Sequence, residues 1–71
     1  MDFIKLTQAY ITGYEGEPIY INVWRIEAIR EDDGCSVLFV TGDNNAKYYV
    51  KESADAILGM IYRIKLSGVL T

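Results

Sequence analysis

From its N-terminus the chain alternates between polar and apolar positions. Between Asp2 and Ile11 the β-formers Phe3, Ile4, Thr7, Tyr10 and Ile11 are interspersed with polar residues, which predicts a first strand. Gly13-Tyr14-Glu15-Gly16-Glu17-Pro18 interrupts the pattern and predicts a turn through its glycines and proline. Ile19-Tyr20-Ile21 resumes as a short strand, with the isoleucines on one face and Tyr20 on the other. Asn22 suits the opening of a tight turn or single helical turn, because its side chain can cap the backbone. Trp24 and Ile26 are then expected to tuck under the sheet. The third alternation, Ile26 to Arg30, places Ile26 and Ala28 opposite Glu27 and Ile29.

Glu31-Asp32-Asp33-Gly34 predicts a hairpin turn, with Gly34 supplying a positive φ. Cys35 to Thr41 follows as a strand whose run Val37-Leu38-Phe39-Val40 is apolar on both faces. Such a run suggests burial on both sides, by the helix and by another layer or subunit. Gly42-Asp43-Asn44-Asn45 predicts a second hairpin turn, and Ala46 to Lys51 the last strand. After Ser53, a helix cap, the pattern changes period. Ala54, Ile57, Leu58, Ile61 and Ile64 recur at three- and four-residue spacing, the stripe of an amphipathic helix. Asp55 suits its first turn, Lys65 its last, and Gly68 a C-terminal stop, so the helix is expected over 53–66. The predicted fold is α+β: a small antiparallel sheet of four to five strands, with one C-terminal amphipathic helix packed on one face. All of residues 1–71 form a single domain.

Composition changes this picture in one respect. A domain of 71 residues has a core of marginal stability, and small scaffolds compensate with disulfides, a metal or self-association. With one cysteine and no histidine, an intrachain bridge and a zinc site both drop out. Self-association gains weight by elimination. Six tyrosines and Trp24 are many large rings for so small an interior, so some are expected at an interface between copies or in a ligand pocket. The net charge of −3 argues against duplex nucleic acid as a partner, while leaving room for a small anion pocket. No stretch has the length of a membrane span, and Met1-Asp2-Phe3-Ile4-Lys5 lacks the pattern of a signal peptide. Together with the single thiol, this predicts a cytoplasmic protein.

Candidate chemistry is sparse. The absence of histidine removes the commonest general base and the serine-hydrolase triad. Cys35 has no activating partner in sequence and is expected to be a plain core or edge cysteine. Glu31-Asp32-Asp33 lacks the spacing of a calcium loop, and Gly42-Asp43-Asn44-Asn45 lacks the Gly-Lys-Ser/Thr of a phosphate loop. Glu27 reads as an edge-strand charge and Glu52 as a charge at the start of the helix. No catalytic residue, metal or cofactor is expected. The ring-and-base run Lys47-Tyr48-Tyr49-Val50-Lys51 carries more information. Alternation puts Lys47, Tyr49 and Lys51 on one face, where a ring between two ammonium groups could stack on a base and meet phosphate. An exposed strand face with solubilising lysines fits equally well. Trp24 and Arg25 again set an aromatic beside a guanidinium. The binding candidates are therefore Trp24, Arg25, Lys47, Tyr48, Tyr49 and Lys51.

Several short motifs, in order, resemble a known family. Ile4-Lys5-Leu6-Thr7, Gly16-Glu17-Pro18-Ile19-Tyr20-Ile21-Asn22 and Ile26-Glu27-Ala28-Ile29 look like the opening of FlbD/SwrD-like small flagellar-associated proteins. Val40-Thr41-Gly42 and Tyr49-Val50-Lys51-Glu52-Ser53, leading into an apolar helix, are similar to that family's second half. The resemblance covers most of the chain and implies a cytoplasmic, non-enzymatic accessory protein. Two departures weaken a motility role: Gln8 to Glu15 is longer than the family's usual turn, and Leu66 to Thr71 replaces a basic tail. Similar small proteins also occur on phage and prophage genomes. The leading expectation is a homo-oligomeric binding or adaptor protein whose sheet edge or aromatic face meets an unidentified protein partner. The alternative is a phage-encoded inhibitor or sponge that sequesters a host defence protein or a small nucleotide signal.

Overall fold

A computed structural model describes residues 2–10, 13–42 and 46–70. The fold is α+β, with strands β1 (Phe3–Thr7), β2 (Pro18–Asn22), β3 (Ile26–Asp32), β4 (Cys35–Val40) and β5 (Lys47–Val50), followed by helix α1 (Ala54–Leu70). A short 3-10 helix, Val23–Arg25, joins β2 to β3. All strand pairing is antiparallel, but it forms two sheets where a single one was expected: β1–β2 and β3–β4–β5. The first strand was expected to run from Asp2 to Ile11. It pairs with β2 only as far as Thr7 and then changes partner: Gln8 bridges to Val50, and the Ala9 N–H donates to the Tyr49 carbonyl at 3.0 Å. Ile11 lies outside the described residues. The Lys51 N–H donates to the Thr7 carbonyl at 2.8 Å, completing the joint between the sheets.

The core fills the space that this joint encloses. Ile4, Leu6, Ile21, Val23, Leu38, Val50 and Ile57 form one buried cluster. Fully burying such an aliphatic side chain is worth about 1.5–3 kcal/mol. In β4, Val37 and Leu38 of the apolar run are buried, as is Ser36 just before it, while Phe39 and Val40 are half-buried. Leu38 faces the core, whereas Val37 lies on the opposite face, flanked across the ladder by Arg30 and Tyr49. That second face thus has long side chains of neighbouring strands beside it, including Arg30, whose guanidinium lies 5.6 Å from the centroid of the Phe39 ring.

Three expectations fail for identifiable reasons. Trp24 does not tuck under the sheet. The Asn22 Oδ1 accepts the Trp24 N–H at 2.9 Å, and the 3-10 turn this starts sends Val23 into the core and leaves Trp24 60% exposed. Ile26 and Ala28 do not share a face, because a bulge between them inserts Glu27 out of register. Ile26 and Ile29 consequently both pack on the core, and Ala28 is exposed. Helix α1 does not stop near residue 66 but continues through Gly68 to Leu70, so Lys65 is not in its last turn. Glycine ends a helix by adopting positive φ, and among the described glycines only Gly13, Gly16, Gly34 and Gly42 do so.

The start of α1 follows expectation: the Ser53 Oγ accepts the Ala56 N–H at 3.2 Å. Ile57, Met60, Ile61 and Ile64 meet the core, while Leu58, expected on the same stripe, is exposed. Gly34, with φ 78°, closes the β3–β4 hairpin as predicted. Gly42 also has positive φ, and Asp43, Asn44 and Asn45 of the second predicted turn lie outside the described residues. Among the described residues no helix is long and apolar enough to cross a membrane.

Candidate functional site

The two sheets meet along two seams, only one of which is bonded. Along the β1–β5 seam, the Glu52 carboxylate accepts the Thr7 N–H at 2.9 Å and the Thr7 hydroxyl at 2.9 Å. The Ser36 hydroxyl donates to the Glu52 carbonyl at 2.7 Å. Glu52 is therefore more than the helix-start charge its position suggested, since it ties β1 to the segment that leads into α1.

The other seam is open. β2 pairs with β1 alone, and a cleft of about 450 Å³ runs beside it. Four consecutive β2 residues, Ile19 to Asn22, line this cleft. Because strand side chains alternate, only a cleft running along the strand's edge can touch all four. The ladder sets which main-chain groups point there. Gln8 N–H donates to Glu17 C=O at 2.9 Å and Val23 N–H to Asp2 C=O at 2.8 Å, so the residues that bond to β1 are the odd-numbered ones of β2. Tyr20 accordingly aims its main-chain N–H and C=O away from β1, as Asn22 does its N–H, and among the described residues these three groups have no partner in the β1–β2 ladder; the Asn22 C=O belongs to the 3-10 turn that Asn22 caps.

The far wall of the cleft is built by the 3-10 turn and the end of β4. The Thr41 N–H donates to the Arg25 carbonyl at 2.8 Å and holds the turn against the strand. The Arg25 guanidinium lies over Gly42, so close that a Cβ on Gly42 would sit 2.7 Å from Nη1. Gly42 is favoured by its φ of 110°, whereas the close approach involves the end of a flexible, exposed side chain that could shift. Phe3, Tyr20 and Tyr48 supply rings, and among the described residues Arg25 is the only charged one in the lining. Chemically, the cleft offers an unpaired strand edge, aromatic walls and one cation.

The six binding candidates do not form one site. Arg25 and Tyr48 meet in this cleft. Tyr49 and Lys51 line a second hollow, on the opposite face of β5, together with Tyr10 and Cys35. There Lys51 forms an ion pair with Glu15 at 3.1 Å, and because both side chains are about half exposed it adds little stability. Lys47 shares the face of Tyr49 and Lys51, as alternation predicted, and is exposed. Trp24 stands apart on the helix side, where the Lys65 Nζ lies 4.6 Å from its ring centroid. Sequence reasoning missed the rings and polar groups of Phe3, Tyr20, Asn22 and Thr41 and the aliphatic lining of Ile19, Ile21 and Val40. Tyr20 carried a signal, being an aromatic on the outer face of a short strand, but nothing in the sequence says that β2 lies at an edge.

Among the described residues no three His, Cys, Asp or Glu side chains gather in a way that could hold a metal ion. Cys35 is half-buried at the start of β4. Six of the nine aromatic residues, Phe3, Tyr10, Tyr14, Tyr20, Trp24 and Tyr62, are at least half exposed. No protein-family profile, no curated protein and no solved structure matches the chain.

Proposed function

We propose that this protein is a non-enzymatic binding or adaptor protein that works as a homo-oligomer and receives an extended segment of a partner protein in the cleft beside β2. The observation that carries this reading is the open edge of β2 with the Arg25 guanidinium in the lining of the cleft beside it. An added peptide strand would satisfy the outward N–H and C=O of Tyr20 and the outward N–H of Asn22, the usual source of affinity in strand addition. Phe3, Tyr20 and Tyr48 would contact its alternate side chains, and Arg25 would favour an acidic residue in the segment. The far wall formed by Val40 and Thr41 suits a single strand better than the edge of another sheet. The lone cysteine fits a reducing, cytoplasmic setting, and the resemblance to FlbD/SwrD-like accessory proteins points the same way.

The same rings and guanidinium favour a second reading, in which the cleft sequesters a small nucleotide signal, its base on an aromatic face and its phosphate at Arg25. Selection of random heptapeptides on the intact chain separates the two. Under the first reading the selected peptides alternate apolar residues and carry Asp or Glu. They lose binding to Tyr20→Pro, which removes an N–H the ladder does not use, and to Arg25→Glu. Peptides that bind Tyr20→Pro as tightly as the wild type would defeat the strand-addition reading. Saturable binding of AMP in equilibrium dialysis, without peptide enrichment, would establish the second.

A further inference from the structure

Helix α1 has a second apolar face. Leu58, Tyr62 and Leu66 recur every four residues and are 45%, 66% and 51% exposed. Residues four apart are stacked neighbours on a helix, so the three form a continuous stripe about 12 Å long. At 3.6 residues per turn, Asp55 and Gly59 fall within the same arc, and the stripe lies opposite the face of Ile57, Met60 and Ile64 that meets the core.

Two features of this stripe say what covers it. The first is Gly59. A glycine weakens a helix interior relative to alanine, yet a Cβ at Gly59 would meet nothing within 4 Å. The chain's own packing gives no reason for a glycine here, and a second backbone or ring approaching this face does. The second is charge. Asp55 lies in the first turn, whereas Arg63 and Lys65 lie toward the other end. An antiparallel helix partner with the same sequence would set acid against base at both ends, and a parallel one would stack like charges.

We infer that α1 pairs antiparallel with α1 of a second copy, about a two-fold axis between Gly59 and Tyr62. Each Tyr62 ring seats on the other copy's Gly59, with Leu58 and Leu66 on either side. Asp55 reaches the second copy's Lys65, the residue that already stands over Trp24. A buried ring contributes on the order of 150–250 Å², so Tyr62, Trp24 and the two leucines bring the pair near the roughly 1,000 Å² a specific interface needs. The result is a concentration-dependent dimer rather than an obligate one. The pairing rests on the self-association part of the proposed function and assigns it to one surface, leaving the β2 cleft free.

Light scattering coupled to size exclusion over a concentration series tests it. The wild-type chain is expected to shift from monomer to dimer as concentration rises. Gly59→Leu, which meets nothing within the chain and improves helix propensity, is expected to raise the dimer dissociation constant at least tenfold without lowering the melting temperature of the dilute protein. Asp55→Lys weakens the dimer, and Asp55→Lys combined with Lys65→Asp restores it. A wild-type dimer that Gly59→Leu and Tyr62→Lys both leave unchanged would overturn helix pairing while retaining self-association elsewhere. A wild-type chain that stays monomeric throughout the series would overturn both.

Discussion

The two seams between the sheets are built from similar strands and end up opposite in character. On the β1–β5 side, main-chain bonds from Ala9 to Tyr49 and from Lys51 to Thr7 run beside the Glu52 carboxylate, which accepts the Thr7 N–H, over buried Leu6 and Val50. On the β2 side the outward groups of Tyr20 and the Asn22 N–H face solvent across a cleft, and Arg25 is the charged side chain among the described residues of its lining. A buried polar group left without a partner is costly, so a seam that excludes water has to satisfy its polar groups internally. A seam that admits water does not, and is free to offer those groups to something else. The difference places the bonded closure on one side of the molecule and, under the proposed function, recognition on the other.

Amide hydrogen exchange tests this contrast most directly. The amides of Ala9 and Lys51 should be protected to near the global unfolding free energy, about 5 kcal/mol or more, while that of Tyr20 should exchange almost as in an open chain. Equal protection on the two sides would break the comparison. Next in size is Leu6→Ala, at a fully buried position beside the closed seam, which should cost about 2–5 kcal/mol in urea unfolding. Glu52→Ala removes the acceptor of the Thr7 N–H and hydroxyl and should cost about 1–3 kcal/mol, with the β1 amides losing protection before those of β4. Arg25→Ala, on the open side, should change stability by no more than about 0.5 kcal/mol and yet abolish the acidic preference of peptides bound in the cleft. A large stability loss there would mean that Arg25 is structural after all.

Much of the fold can be read along the chain, because local rules fix it. Gly34 ends β3 by its φ, Ser53 starts α1 by its hydroxyl, and the apolar run of β4 announces a strand buried on both faces. What the sequence hides are the places where one residue shifts a period. The bulge at Glu27 moves Ile29 onto the core face, and the turn capped by Asn22 buries Val23 and leaves exposed the Trp24 that was expected inside. The candidate site was harder still. Lys47, Tyr48, Tyr49 and Lys51 are neighbours in sequence, but strand alternation sends Tyr48 to one hollow and Tyr49 with Lys51 to another. Phe3, Tyr20 and Thr41 come together only because β2 is left at an edge, a property of the pairing of all five strands and of no single segment.

The clamp at Glu52 also imposes an order on events during synthesis. Its partner Thr7 lies 45 residues earlier in the chain. At about 5–20 residues per second, Thr7 leaves the ribosome's catalytic centre some ~2–9 s before Glu52 is even polymerised. Once Pro18–Asn22 has been made and freed, β1 can pair with β2 within that interval, but the bonds that join its far end to β5 cannot yet exist. The long-range closure therefore comes after the local hairpins, which carry the smaller loop-closure cost. A nascent chain arrested before residue 52 would hold its N-terminal hairpin without the strap that fastens it.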